Sequence, residues 1–300
     1  MKWTAVINPA AGRGRARKLV PKVRDALTTS PLDVDVHISS CAEDARTVAS
    51  AAFAADRGVI ACGGDGTVRD LAGIAAETGG VLGIVPTGSG NDFARQFAIP
   101  RHDVAAAVAA ITNGALSRVD LGRATAADGT TAWFTTVANA GFDAEANRWA
   151  NTVTWTSGNP LYILAVLRTL RTYRPTRLCI SVDGHARVMP AWLVAVANTR
   201  TYASGMAIAP QAATDDGVLD VCVVGDVSRA EFLRTFPSVY RGEHVRNPMV
   251  TIRRGSRITI DSVDSVDPDE PLELWASGER VGPLPAVLEP VPGALLVVTP

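Results

Sequence analysis

The residues best placed to do chemistry are Cys62-Gly63-Gly64-Asp65-Gly66-Thr67, where glycines flank one carboxylate and a hydroxyl follows. Glycine lets a backbone approach a ligand closely and take positive φ without strain. Successive main-chain N–H groups in such a turn form an anion nest, and a following helix adds the positive end of its dipole. Val59-Ile60-Ala61 lead into the stretch, so it reads as strand, phosphate-cradling loop, helix. An Asp inside such a loop repels phosphate unless a metal or a donor group intervenes, which points to nucleotide–Mg²⁺ chemistry. The competing reading of Asp65 is a cap that stabilises the turn.

Two further loops share this plan. Val81-Leu82-Gly83-Ile84-Val85 runs into Pro86-Thr87-Gly88-Ser89-Gly90-Asn91-Asp92-Phe93, and Val6-Ile7 runs into Asn8-Pro9-Ala10-Ala11-Gly12-Arg13-Gly14-Arg15. A lone glycine loop is an ordinary turn, but three such units within about one domain's length form a pattern. The pattern is not a P-loop, because the chain contains no Gly-Lys-Ser/Thr.

The elements that must hold these loops alternate. Strands are expected at 4–7, 34–38, 59–62, 82–85 and 117–121, and helices at 15–28, 43–54, 67–77 and 103–112. Ala45, Val48, Ala49 and Ala52 give the second helix one apolar face. Such alternation predicts a parallel sheet covered by helices, with ligands outside the carboxyl ends of its strands. All three glycine loops fall there. Around 124–131 the composition shifts to Ala, Asp, Gly and Thr, a linker or hairpin. Strand patterns then dominate (133–138, 177–182, 191–198, 219–224, 250–254, 257–262, 272–276), interrupted by helical segments at 160–173 and 229–240. The expected architecture is an α/β domain over 1–123 and a β-rich, sandwich-like domain over 124–290.

Composition removes other classes. At 47% hydrophobic and net charge −1, the 300-residue chain is globular, with no bulk pull toward DNA or an anionic surface. No basic stripe with interleaved aromatics points to nucleic acid. The four cysteines (Cys41, Cys62, Cys179, Cys222) are widely spaced, which fits a reduced, cytoplasmic protein. The four histidines (His37, His102, His185, His244) have no metal-ligand spacing. The start of the chain lacks a signal-peptide pattern. No apolar run reaches the roughly 20 residues of a membrane helix, so any lipid contact is peripheral.

These motifs resemble the diacylglycerol kinase catalytic-domain family, in particular its soluble bacterial lipid kinases. The matching segments are Asn8-Pro9-Ala10-Ala11-Gly12, Gly63-Gly64-Asp65-Gly66-Thr67, Pro86 to Ala94, Asn139-Ala140-Gly141-Phe142-Asp143, Ser204-Gly205-Met206, Ala209-Pro210, Asp215-Asp216-Gly217-Val218-Leu219-Asp220 and Gly278-Glu279. Gly-Gly-Asp-Gly-Thr alone is shared with NAD kinases and more loosely with phosphofructokinases; the Asp-Asp-Gly segment and closing Gly-Glu select the lipid kinase branch. The resemblance implies ATP and Mg²⁺, a lipid acceptor in a cleft between domains, and a return of the last residues, about 291–300, to the first domain. It completes the nucleotide site with Asn8, Gly12 and Ser89, and with Ser39 or Ser40 after the second strand. It makes the loop of Ala213, Asp216 and Val218 a structural Mg²⁺ site, although Asp-Gly feeding a strand is equally good hairpin chemistry. The segment 149–173, with Trp155, Leu161, Tyr162 and Leu164, is a candidate membrane or acyl contact, or a plain helix core face. Exposed strand edges allow a homodimer.

The chain departs from the family pattern in two places. Arg69 and Asp70 stand where the family has Asn and Glu; Asp70 keeps an acidic role, and Arg69 alters nucleotide contacts or is a solvated helix residue. Ser277 stands where the family has the Asp of Asp-Gly-Glu. A hydroxyl is too weakly acidic to replace a carboxylate base, which leaves Glu279 as the candidate proton acceptor beside Asp65. Full activity through Glu279, weakened catalysis, a binding module or a soluble-substrate kinase of the NAD kinase kind are the outcomes the sequence leaves open.

Overall fold

The computed structural model describes residues 1–153, 159–263 and 271–300. The chain divides into one unit of Met1–Leu121 with Pro292–Pro300 and a second of Gly122–Val291. The division falls at Leu121, against an expected 123, and the chain returns at Pro292.

In the first unit, short apolar runs become parallel strands because helices cover both faces. They are β1 (Lys2–Ile7), β2 (Asp33–Ile38), β3 (Gly58–Gly63) and β4 (Val81–Pro86). β3 lies between β1 and β4, β2 flanks β1, and Leu296 and Val297 of the chain's end run parallel beside Val81 and Leu82. Every residue of β3 and β4 is buried, as central strands require. The helices are α1 (Val20–Thr29), α2 (Ala42–Ala54), α3 (Asp65–Thr78), α4 (Asp92–Gln96) and α5 (Val104–Asn113). Ile7, Leu27, Ile60, Val85 and Ile111 meet in one core. The first expected helix splits: Arg15–Leu19 is a 3-10 turn, and α1 starts at Val20 with Pro21 in its first turn, where a missing N–H costs nothing.

The second unit is antiparallel. β5 (Ala115–Thr125) enters it and forms a hairpin with β6 (Thr131–Phe134); β7 (Val137–Gly141), α6 (Phe142–Thr152) and α7 (Asn159–Thr172) follow. The expected strand at 133–138 is thus two strands, because Phe134 pairs with β5 whereas Val137 pairs with Ala197. Next come β8 (Thr176–Val182), β9 (His185–Ala197), β10 (Leu219–Gly225), α8 (Arg229–Thr235), β11 (Val250–Gly255), β12 (Ile258–Ser262), β13 (Glu273–Ala276), β14 (Glu279–Pro283) and the first half of β15 (Ala286–Thr299). β9 organises the unit by pairing with β7, β8 and β10. Its alternate residues serve two cores: Val194 and Val196 one, Leu193, Ala195 and Ala197 the other.

Candidate functional site

The loops after β1, β3 and β4 converge through named contacts. Asn8 Nδ2 donates to Thr67 Oγ1 at 2.9 Å, and Asn8 Oδ1 accepts from the Ala10 amide at 2.9 Å, so one side chain shapes its own loop and pins the next. Gly64 and Gly88 meet backbone to backbone: a Cβ on Gly88 would lie 2.4 Å from Gly64 Cα. A Cβ on Gly63 would strike the Thr67 side chain at 2.4 Å. Gly12 takes φ +59° beneath Ser89, whose hydroxyl accepts from Arg15 Nη2 at 2.8 Å. Above Gly66 the space is open. The start of α3 has no side-chain cap, so its first-turn amides are free to meet an anion.

Arg15 is a candidate site residue that motif reading did not single out. Its Nε also donates to the Gly12 carbonyl at 3.2 Å, which holds the exposed guanidinium over the loop. The available signal was the missing P-loop lysine: a phosphate cradle without it takes its positive charge from elsewhere.

Asp65 does not oppose phosphate, because its carboxylate turns toward a different loop. Oδ2 accepts from the Asn91 amide at 2.7 Å and Oδ1 from the Phe93 amide at 3.3 Å, at the start of α4. Burial pushes the Asp65 carboxyl up to about 6, the neighbouring Asp92 charge pushes the same way, and the amides only partly offset them. Asn91 sits at φ 53°, which Asn tolerates, and its side chain bonds the Gly88 amide and carbonyl at 3.1 and 2.9 Å. Asp65 therefore does not cap its own turn; it ties the glycine loop after β3 to the loop after β4.

Arg69 is not a solvated helix residue. Its Nη2 and Nε reach Asp70 Oδ1 at 2.6 and 3.0 Å, and Arg46 Nη1 approaches Asp70 Oδ2 at 3.3 Å. Both side chains are largely buried, so Asp70 is neutralised from two sides. Ser39 is buried with its hydroxyl on the Ile7 carbonyl at 3.1 Å, whereas Ser40 is exposed and bonds Asp44 Oδ2 at 3.0 Å. The Ser40 amide and then His37 hold the Asp44 carboxyl below its usual range.

In the second unit, Ser277 and Gly278 form the two-residue turn between β13 and β14, both at positive φ (48° and 85°). Ser277 Oγ lies 3.2 Å from Thr136 Oγ1, and Glu279 begins β14 with its side chain exposed. Asn139 and Asp143 are buried partners, with Asn139 Nδ2 donating to Asp143 Oδ2 at 2.8 Å. Asp143 also lines an apolar cavity with about 590 Å³ of unfilled space, mouth included, walled by Phe142, Leu193, Met206, Phe232, Val239 and Val250. The other buried polar group on its wall is His244, whose Nε2 lies 3.1 Å from the Ile208 carbonyl and whose pKa burial lowers.

Residues 2–124 match the diacylglycerol kinase catalytic domain, and residues 136–299 match the YegS C-terminal NAD kinase beta sandwich-like domain. A Mycobacterium tuberculosis (strain ATCC 25618 / H37Rv) protein named diacylglycerol kinase is 35% identical over 301 residues, covering 100% of this chain and 95% of its own length. The chain belongs to the diacylglycerol kinase family. A Bacillus subtilis (strain 168) diacylglycerol kinase is 29% identical, covering 95% of this chain and 92% of that protein. A diacylglycerol kinase crystal structure from Bacillus anthracis str. Sterne superposes with a TM-score of 0.72 at 22% identity, covering 100% and 97% of the two chains, and so shares the fold.

Against the diacylglycerol kinase pattern, the Asp216 loop is closed by a cation of its own. Asp216 Oδ1 accepts from the Val218 amide at 3.2 Å, and Oδ2 pairs with Arg254 Nη2. Arg254 Nε also lies 3.5 Å from Asp220 Oδ2, directly across the β10–β11 register. With both carboxylate oxygens engaged, the loop in this form does not fit Mg²⁺ held by Asp216 with the Ala213 and Val218 carbonyls. Among the described residues, no group of three or more His, Cys, Asp or Glu side chains is placed to hold a metal. Leu161 is buried, as a core-facing position would be; Trp155 and the Tyr162 side chain lie outside the described residues. Among the described residues, no helix is long and apolar enough to cross a membrane.

Proposed function

We propose that this chain transfers the γ-phosphoryl group of ATP, taken as its Mg²⁺ complex, to a hydroxyl of diacylglycerol or a related lipid. The observation that carries the reading is the convergence of the three glycine loops on the open amide end of α3, with Arg15 beside it. Phosphoryl transfer needs positioning and charge stabilisation more than covalent chemistry. The first-turn amides, the Thr67 hydroxyl and the Arg15 guanidinium supply both. The apolar lining of the second unit's cavity matches the chemistry of an acyl chain, with Asp143 and His244 as buried polar groups on its wall. Glu279 is the proton acceptor for the lipid hydroxyl, and the protein works in the cytoplasm as a peripheral visitor to the membrane.

A weakened kinase is the second reading, favoured by Ser277, which offers a hydroxyl where the family motif offers a carboxylate. Labelled ATP with Mg²⁺ and mixed micelles carrying different lipids, run beside NAD, separates the possibilities. Labelled lipid supports the first reading; labelled NAD, or binding without transfer, refutes it. Glu279→Gln is expected to lower turnover by about 10²–10⁴-fold. Ser277→Asp keeps a residue tolerant of the turn's positive φ. It raises turnover by about 10²-fold if catalysis is weakened, and leaves it unchanged if Glu279 suffices.

A further inference from the structure

We propose that His244 Nδ1 accepts a hydrogen bond from a hydroxyl on the apolar part of the cavity's ligand, which makes that ligand a lipid with a hydroxylated acyl chain. The identity of the ligand rests on the lipid kinase reading; the acceptor site does not. His244 lies in the cavity wall and is 1% exposed. Its Nε2 lies 3.1 Å from the Ile208 carbonyl, and a carbonyl only accepts, so Nε2 carries the proton. Cys222 Sγ lies 4.0 Å from the same nitrogen, at the limit of a sulfur contact. Burial lowers the pKa of the imidazole, which favours the neutral ring. A neutral ring protonated at Nε2 has a bare lone pair on Nδ1. That atom is buried and meets no hydrogen-bond partner among the described residues.

The other polar side chains of the wall are engaged. Asp143 Oδ2 accepts from Asn139 Nδ2. Asn247 Nδ2 donates to Glu231 Oε1 at 3.1 Å and approaches Thr235 Oγ1 at 3.4 Å, and Asn247 Oδ1 accepts from the Met249 amide at 2.9 Å. Among the described residues that line the cavity, His244 is thus the one with a buried, unpartnered polar atom. The local fold holds it there. Gly242, at φ 67°, ends the 3-10 turn Phe236–Arg241, and a Cβ on it would lie 2.6 Å from Pro210. His244 follows in a second 3-10 turn, Glu243–Arg246, and the Ala207 amide bonds the Val239 carbonyl at 3.0 Å. A buried acceptor without a donor weakens the folded state, and a ligand that brings a donor removes that penalty. A plain hydrocarbon chain leaves the penalty in place. A hydroxyl on a hydrocarbon stem answers both the apolar wall and the bare nitrogen.

Small probes test the site on the full chain without any lipid. 4-Methylphenol, p-xylene and 4-methylanisole have similar shapes, and of the three only 4-methylphenol donates a hydrogen bond. An apolar cavity with no bare acceptor favours p-xylene, because a hydroxyl must first be stripped of water. We expect the unaltered protein to bind 4-methylphenol more tightly than the other two, and His244→Phe to reverse that order. The ratio of the 4-methylphenol and p-xylene dissociation constants should move by about 10–10²-fold, the worth of one buried hydrogen bond. Nitrogen NMR gives a second readout that holds even where His244→Phe does not fold. The Nδ1 resonance, far downfield for a bare imidazole nitrogen, should move upfield with 4-methylphenol and stay put with p-xylene. In transfer assays, a series of diacylglycerols hydroxylated at successive chain positions should contain a member with a KM about tenfold below that of the plain parent. His244→Phe should erase that preference and leave the ATP dissociation constant unchanged. p-Xylene bound at least as tightly as 4-methylphenol overturns the proposal, as does an Nδ1 resonance that 4-methylphenol does not move. A KM series with no preference at any position overturns the hydroxylated chain. Probe discrimination with no transfer to any lipid supports the Nδ1 site while refuting the kinase reading.

Discussion

Asp65 shows how a carboxylate can live inside an anion cradle. Its position in the sequence places it at the positive end of α3, but its oxygens accept from the Asn91 and Phe93 amides instead. Burial outweighs those bonds and lifts its pKa to about 6, so the folded state favours the protonated form more than the unfolded chain does. Stability from this group is therefore fully present below the unfolded value near 3.8 and is lost as pH rises through about 6. Asp65→Asn removes that dependence: urea denaturation should show the variant gaining on the unaltered protein between pH 4 and pH 7. Nucleotide binding should move the other way, because the ionised carboxylate aligns the loop amides. We expect ATP affinity of the unaltered protein to fall as pH drops below about 6, and the variant to show a weak, flat profile by calorimetry. The motif marked Asp65 in the sequence. Its partners, 26 and 28 residues away, were not legible, because a backbone amide leaves no signature in residue type.

At the scale of elements, periodicity carried most of the first unit, since each strand and helix has its own apolar signal. The split of 229–240 into α8 and a 3-10 turn was announced by Pro237, and the split of 133–138 was not, because it depends on which strand pairs where. β14 escaped for a related reason: Glu279–Pro283 is short, with Gly282 and Pro283, and becomes a strand through the turn at Ser277-Gly278 and its pairing with β13. The Asp216 loop is the instructive case. Residue types alone fit a metal loop or a hairpin, and only the β10–β11 register brings Arg254 opposite Asp220. Burial raises the Asp220 pKa, and Arg254 is the charge that opposes this. Arg254→Ala should therefore destabilise the protein by about 1–3 kcal/mol, the cost of a buried charge without its partner. The loss should grow as pH rises and Asp220 must ionise. Without ATP, the melting temperature of the unaltered protein should be the same in Mg²⁺ and in EDTA, whereas Mg²⁺ should restore part of the loss in the variant. A fall in the unaltered protein's melting temperature on adding EDTA would return the loop to a metal.

Over the whole molecule, the shift to Ala, Asp, Gly and Thr near 124–131 was the sequence signal closest to a boundary, and the structure divides the chain at Leu121. What composition could not show is that each unit brings its own recognition chemistry: a polar, glycine-built cradle in one and an apolar cavity in the other. Acyl sites have no compact motif, since the cavity is walled by residues as far apart as Phe142 and Val250. If the lipid's apolar part binds there, its affinity must respond to the cavity's volume independently of nucleotide. Val224→Phe tests this, because Val224 lines the cavity on β10 yet is only partly buried, so the larger ring has room to enter the void. The KM for a long-chain diacylglycerol should rise about tenfold, the loss of one to two buried methylenes' worth of contact at about 0.8 kcal/mol each. The ATP dissociation constant should stay within error, and a short-chain lipid should feel the change less than a long one. An unchanged KM for every chain length would place the acyl group elsewhere. A parallel loss of ATP binding would instead show that the ring had disturbed the fold and not the cavity alone.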